Sequence, residues 1–190
     1  NEFVDHAVAR AVARNAPPEM PGTPFLTACQ YGHLSCCKWL YEHGAEDEAG
    51  GPLVRGFHAL FLACQSGSLE TVKFVFAHGG RQNIRTVCSS GGTPVTIAAE
   101  MGHLDILTWL LKNNWGGCRA DISHPGNQGC TPFFAAVQRG HLKTAKYLYN
   151  EWSELVNIRE ENDAGFSPLH AAAERGHLDV VMWLLNLLPP

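Results

Sequence analysis

The sequence predicts an all-α solenoid of stacked helix-turn-helix units, and two observations support that prediction. The first is a twelve-residue pattern: TPFLTACQYGHL at residues 23–34 returns as SPLHAAAERGHL at residues 167–178. The second is the near-constant interval at which three further copies fall between them. Five copies in register predict a repeat protein, because one helix pair of this length cannot bury its apolar face without a stacked neighbour.

A glycine ends the first helix of each predicted unit. Successive glycines are 35, 35, 38 and 36 residues apart, at Gly32, Gly67, Gly102, Gly140 and Gly176. Four units begin with a Thr or Ser that can cap a helix, followed by a proline suited to the first helical position. Apolar residues at helical spacing follow each glycine, as in Leu178, Val181, Leu184 and Leu185. Each unit is therefore predicted to contain a short helix, a glycine turn and a second helix.

This pattern resembles the ankyrin repeat over residues 23–188. The best match is GFSPLHAAAERGHLDVVMWLL, which contains both the Ser-Pro-Leu-His and the Gly-His-Leu signatures. The second unit departs from the family pattern, with His58-Ala59 in place of Thr-Pro and Ser68 in place of His. The resemblance implies an ankyrin-repeat solenoid, with hairpin-like finger loops projecting from one edge and first helices lining a concave groove.

The chain is predicted to contain one repeat array preceded by a short cap. Residues 1–22 are expected to form an N-terminal capping helix and linker, because apolar residues recur there at helical intervals before NAPPEMPG. The array is expected to occupy residues 23–190, with units at about 23–57, 58–92, 93–130, 131–166 and 167–190. The chain lacks an initiator methionine and closes on WLLNLLPP, whose leucines have no following unit to cover them. We expect a longer native chain, or a partner at that edge.

Composition excludes several classes of function. The net charge is −4, from 14 basic and 18 acidic residues, and charged residues make up 17% of the chain. A nucleic-acid binder with a massed positive face is not expected from these values. The apolar runs are shorter than the roughly 20 residues of a membrane span, and no signal-peptide pattern opens the chain. We expect neither nucleic-acid binding nor membrane insertion.

The seven cysteines show no Cys-x-x-Cys pair and no regular spacing, so no disulfide framework is predicted. Cys29 and Cys64 occupy equivalent positions in stacked units, beyond the roughly 7 Å between Cα atoms that a disulfide allows. Cys36 and Cys37 are expected to pack as small apolar residues. Three cysteines lie in or beside loops, and the sequence leaves open whether they are exposed: Cys88, Cys118 and Cys130. This usage predicts an intracellular, cytoplasmic protein, with the nucleus also open.

Histidines recur at one position in four units, but they do not predict a metal site. Stacked helices lie about 8–10 Å apart, whereas zinc ligands lie about 2.0–2.1 Å from the metal. The residues concerned are His33, His103, His141 and His177. The sequence also shows no hydrolase triad, phosphate loop or His-Glu-x-x-His helix. We therefore predict no enzyme activity, no cofactor and no metal.

An aromatic residue follows each glycine by seven positions. The series is Trp39, Phe74, Trp109, Tyr147 and Trp183. At 100° per residue these rings lie on a flank of the second helix. They are predicted to pack between neighbouring second helices. The alternative is a partner-binding ridge on the convex back of the array.

The predicted partner site lies at positions that vary between units. The resemblance implies that the two residues before each glycine face the groove, and Tyr, Met and Arg are enriched at protein interfaces. The finger loops differ in charge: the first contains Glu46, Asp47 and Glu48, and the second contains Arg81 and Arg85. The predicted partner-binding residues are Tyr31, Gln65, Arg81, Arg85, Met101, Trp115, Arg139 and Arg175.

Trp115 stands in the longest loop, NNWGGCRADISHPGNQG, where an insertion falls at residues 115–118. A tryptophan flanked by glycines in an insertion is a candidate anchor for a partner. The alternative is that Trp115 folds back onto the end of its own helix. The pattern leaves both readings open.

Together these patterns predict a non-enzymatic scaffold that binds a protein through its concave groove and finger loops. The alternative is a regulatory or targeting module of a larger protein, whose catalytic or channel domain lies outside this sequence. We expect a monomer or a part of a longer chain. The sequence does not name the partner, because binders of unrelated targets share this framework.

Overall fold

The computed structural model describes residues 23–51 and 56–187, and every regular element in these ranges is helical. No β-strand occurs in either range. The chain divides into two compact units, residues 1–89 and residues 90–190. The capping helix predicted for residues 1–22 lies outside the described residues, and the predicted boundaries between repeats stay a prediction.

The described part of residues 1–89 contains two helix pairs, which correspond to the first two repeats. The helices are α1 (Pro24–Gln30), α2 (Leu34–Glu42), the single turn α3 (Glu46–Ala49), α4 (Ala59–Ser66) and α5 (Leu69–Ala77). A 3₁₀ turn at Gly80–Asn83 follows α5. The first helices α1 and α4 pack on each other, and α2 packs on α5.

Residues 90–187, the described part of the second unit, contain three helix pairs. The helices are α6 (Pro94–Glu100), α7 (Leu104–Asn113), α8 (Pro132–Gln138), α9 (Leu142–Glu151), α10 (Pro168–Glu174) and α11 (Leu178–Leu187). The first helices α6, α8 and α10 pack in that order, and each contacts its own second helix. Apolar side chains that are fully buried fill these contacts, including Ile106, Leu107, Leu110, Phe133 and Leu148.

The departures in the second repeat preserve helix capping with other chemistry. The Thr131 hydroxyl, at a conventional cap, accepts a hydrogen bond from the N–H of Phe134 at 3.3 Å. At the start of α4, Nδ1 of His58 accepts the N–H of Phe61 at 3.2 Å. Ser68 caps α5 in the same way, and both substitutions therefore satisfy an otherwise unpaired helix N–H.

The acidic cluster forms α3 rather than an open solvated loop. Acidic side chains are favourable in the first turn of a helix, where the backbone N–H groups leave partial positive charge. The Thr23 hydroxyl donates a hydrogen bond to Glu48, which ties α3 to the start of α1. Glu48 is half-buried, and this burial raises the pKa of its carboxyl.

The loops between repeats contact each other through backbone hydrogen bonds. The N–H of Ser89 donates to the carbonyl of Gly56 at 2.9 Å, and the N–H of Asp163 donates to the carbonyl of Gln128 at 3.0 Å. Helical turns occupy several of these loops, such as the 3₁₀ segments Trp115–Ser123 and Asn127–Gly129.

Among the described helices, none combines the length and the apolar composition that a membrane span requires.

Candidate functional site

In residues 90–190, the three first helices end at equivalent exposed side chains. Met101 follows α6, Arg139 follows α8 and Arg175 follows α10, each directly before the glycine of its repeat. All three are exposed, Met101 over 36% of its surface. Neighbouring packed helices lie about 8–10 Å apart, so these side chains form a row. We call Met101, Arg139 and Arg175 the helix-end row.

The glycine after each row member permits the close approach of the next repeat. Gly102 has a φ of +73°, and a Cβ there would lie 2.6 Å from Cγ of His141. Gly140 has a φ of +78°, and a Cβ there would lie 2.5 Å from Nδ1 of His177. A larger residue would strain the turn and displace the histidine. The turns that present Met101 and Arg139 therefore require glycine.

The helix-end row differs in charge along its length. Arg139 Nη2 lies 2.6 Å from Oε1 of Glu100, and this ion pair links α8 to α6. Gln138 occupies the equivalent of Glu100 in the next repeat, so Arg175 has no matching carboxylate there. Arg175 forms no ion pair within the described ranges. The row thus offers one apolar side chain, one paired guanidinium and one guanidinium with uncompensated charge.

The repeated histidines bind neighbouring repeats to each other. His177 Nε2 lies 3.0 Å from the carbonyl oxygen of Gln138, which places a donor N–H on Nε2. Burial lowers the pKa of His141, and the positive charge of nearby Arg139 lowers it further. Within residues 23–51 and 56–187, no three His, Cys, Asp or Glu side chains are grouped so that they could hold a metal ion.

The predicted partner residues of the first two repeats lie in residues 1–89. Tyr31 is 63% exposed after α1, and its ring stacks on His33 at 6.1 Å between centroids. Gln65, near the end of α4, is half-buried. Arg81 and Arg85 are exposed in and after the 3₁₀ turn that follows α5.

Trp115 folds back onto the helix that precedes it. Its ring lies 5.9 Å from the ring of Trp109 in α7, and the side chain is half-buried. Arg119 secures the same insertion, because its Nε donates to the carbonyl of Leu111 at 2.8 Å and its guanidinium lies 4.9 Å from the Trp152 ring. These contacts support the second of the two readings of Trp115, and its role as a partner anchor stays a prediction.

Trp115→Ala is expected to destabilise residues 90–190 by about 2 kcal/mol, because it removes a half-buried ring and its aromatic contact. Urea unfolding followed by circular dichroism measures the change. Trp39→Ala is the control, since Trp39 is 54% exposed and should cost less. An unchanged midpoint for Trp115→Ala, together with weaker partner binding, would favour the anchor role instead.

Two members of the aromatic series, Phe74 and Trp183, each contact an aromatic ring of a neighbouring second helix within the same compact unit. The Tyr41 and Phe74 rings are 5.7 Å apart at 84°, joining α2 to α5. Tyr149 and Trp183 repeat that contact at 5.8 Å and 84° between α9 and α11. Trp39 differs, since it is exposed and stacks on His43 at 4.1 Å. Packing is confirmed at these two contacts, whereas the exposed Trp39 leaves the ridge hypothesis open.

The structure corrects the expectation for Cys36 and resolves the exposure that the sequence left open for three loop cysteines. Cys36 is exposed, not packed, because its position on α2 faces away from α1 and α5. The loop cysteines Cys88, Cys118 and Cys130 are buried, because the loops fold against the helices. Burial raises the pKa of Cys88 to about 11, so this thiol is protonated at neutral pH.

Of the leucines expected to lie uncovered on the last helix, Leu185 is exposed and Leu184 is not, while Leu188 lies outside the described residues. Leu184 is buried, at 1% exposure, because it faces the body of the repeat. The exposed large apolar side chains of α11 are Leu178 at 68%, Met182 at 57% and Leu185 at 54%. Their spacing places them along one face of the helix.

Comparison with known families agrees with this architecture. A family model described as ankyrin repeats (3 copies) matches residues 3–86, 25–123 and 115–188. Ankyrin repeats are in general protein–protein interaction modules. No curated protein matches the chain. Because the matched stretches together span residues 3–188, the chain belongs to the ankyrin repeat family.

Proposed function

We propose that this protein is a non-enzymatic scaffold that binds another protein, and that the helix-end row is the centre of that contact in residues 90–190. The observation that supports this most directly is the exposure of Met101, Arg139 and Arg175 at one equivalent position in three consecutive repeats. Met and Arg are enriched in protein interfaces. The ankyrin repeat fold is typically non-catalytic, which agrees with this function.

The charge of the row indicates the chemistry of the partner. Arg175 has no carboxylate at the place where Arg139 meets Glu100, so a partner carboxylate there would complete the same type of pair. Met101 offers a flexible apolar contact two repeats away. We therefore expect a partner segment that presents an apolar side chain and an acidic side chain. Tyr31, Gln65, Arg81 and Arg85 remain proposed contacts of residues 1–89.

The regulatory or targeting alternative also stays a proposal. In that case the same surface would bind a catalytic or channel domain of a longer protein, with the same residues in contact. The full reading frame of the gene distinguishes the two.

Arg175→Ala and Met101→Ala are each expected to weaken partner binding by about 2 kcal/mol, which is roughly 30-fold in Kd, because central Arg and apolar anchors dominate interface energies. The partner is first isolated with the intact chain as bait and purified. Calorimetric titration then compares each variant with the parent.

Arg159→Ala is the matched control, since Arg159 is an exposed arginine in the loop after α9 and its loss changes the net charge equally. It should leave Kd close to that of the parent. If both helix-end variants bind like the parent, while Trp39→Ala abolishes binding in a folded protein, the contact lies on the aromatic series.

A further inference from the structure

Two buried thiols meet inside the first repeat. Cys29 lies in the last turn of α1 and Cys37 in the first half of α2, and their Sγ atoms are 3.7 Å apart. Neither side chain has exposed surface. The glycine turn between the two helices brings them together, although eight positions separate them in sequence. This pair is distinct from Cys29 and Cys64, the pair whose repeat spacing excludes a disulfide.

The contact distinguishes the two sulfur atoms chemically. The hydrogen bond between them lowers the pKa of Cys37 and raises the pKa of Cys29 well above its ordinary value, with burial acting in the same direction on Cys29. Cys37 is therefore the sulfur that more readily becomes a thiolate, and Cys29 would then be the hydrogen-bond donor to it.

We propose that Cys29 and Cys37 form a disulfide when the protein meets a hydroperoxide such as hydrogen peroxide, so that the first repeat contains an oxidisable dithiol. The Cys37 thiolate attacks one peroxide oxygen, the O–O bond breaks, and the departing hydroxide takes a proton to become water. This gives a sulfenic acid on Cys37. Cys29 then attacks the Cys37 sulfur, the S–S bond forms and the S–O bond breaks. The hydroxide leaves with the Cys29 proton as a second water.

The two thiols together supply two electrons and two protons, and the peroxide accepts them, so two waters account for every atom. Because both thiols are buried, the peroxide enters when the first helix pair opens locally. Oxidation of the pair should therefore be slower than that of the exposed neighbour Cys36. The disulfide would close a ring over residues 29–37, which contains the exposed Tyr31 and the turn at Gly32.

Equivalent positions in other repeats of this chain show which residues can replace the two cysteines. Ala99 occupies the position equivalent to Cys29 two repeats later, and Val72 occupies the position equivalent to Cys37 one repeat later. Both are fully buried. Cys29→Ala and Cys37→Val therefore place into the first repeat residues that the same fold already accommodates. Circular dichroism verifies that each variant is folded before it is oxidised.

The test uses the full chain with Cys36→Ser as the background, which removes the exposed competing thiol. The folded protein is treated with hydrogen peroxide, its remaining thiols are blocked after unfolding, and the digest is analysed by mass spectrometry without reduction. The expected product is a peptide pair joined through Cys29 and Cys37, with the loss of two hydrogen atoms and full recovery on reduction. Adding Cys29→Ala or Cys37→Val should abolish it.

A specific outcome would overturn the proposal. If Cys29 and Cys37 are both still blocked as free thiols after an exposure much longer than the one that fully oxidises Cys36 in the parent, they do not form an oxidisable pair. Sulfinic or sulfonic acid on Cys37 without the cross-link would also overturn it, because Cys29 would then have failed to resolve the sulfenic acid.

Discussion

Ala98→Arg is expected to unfold the helix stack of residues 90–190. Ala98 has no exposed surface, and its helix α6 packs against α7 and α8. An arginine there must either displace a packed helix or bury a guanidinium without a partner, at a cost of about 4 kcal/mol or more. That cost approaches the whole stability of a small domain. Thermal unfolding followed by circular dichroism should show a large loss of helix at temperatures where the parent is folded.

Ala173→Arg is the control for this substitution. Ala173 is an alanine of α10 that is exposed, so the same chemical change there meets solvent rather than packed atoms. Its melting temperature should stay close to that of the parent. If Ala98→Arg also melts like the parent, Ala98 is not closely packed between α6 and its neighbouring helices.

Lowering the pH from 7 to 4 is expected to remove about 3 kcal/mol of stability from residues 1–89 through His58. His58 is 1% exposed, and burial lowers the pKa of its ring from 6.5 to about 4. Nδ1 accepts the Phe61 N–H, so the proton on the neutral ring lies on Nε2, which faces the Thr86 carbonyl at 3.4 Å. Protonation of Nδ1 would break the helix cap.

The sign follows from the two protonation states. The unfolded chain binds a proton at His58 below pH 6.5, whereas the folded chain resists doing so until about pH 4. Stability from this group is therefore complete above pH 6.5 and is lost as the pH falls toward 4. Glu48 acts in the opposite direction, because burial raises the pKa of its carboxyl and the protonated form favours the folded state.

His58→Thr isolates the contribution of the histidine. Thr93 and Thr131 already cap first helices at the equivalent position, so a threonine can accept the Phe61 N–H without titrating. Urea unfolding at pH 7 and pH 4 should show the acid-induced loss in the parent reduced by about 3 kcal/mol in the variant. An equal loss in both proteins would show that His58 is not responsible.

The candidate surface could be predicted from the sequence only in part. The positions of Met101, Arg139 and Arg175 follow from their place before the repeat glycines, because the glycine turn dictates which residue the helix end presents. Which of these side chains forms an ion pair does not follow from the sequence. The ion pair between Arg139 and Glu100 depends on the distance between two helices and on the rotamers of two long side chains. Sequence spacing contains neither quantity.

Local patterns were sufficient for the helices and their caps, because caps, glycine turns and the 3.6-residue period act within a few residues and recur five times. The family membership of the chain follows from the same recurrence. Even the unusual caps at His58 and Ser68 act through the same requirement, that the helix N–H groups find an acceptor.

The tertiary structure alone decided what the loops and inward side chains contact. The folding of Trp115 onto Trp109, the burial of Cys118 and the meeting of Cys29 with Cys37 all depend on how a loop or a second helix is placed against the preceding helix. Loops lack a repeating pattern of apolar residues, so their sequence does not show which way they fold. The position of a buried cysteine in a helix likewise does not show which side chain it contacts. The sequence by itself therefore determined the repeating helices and the row of helix ends, whereas the three-dimensional packing determined the partners of individual side chains.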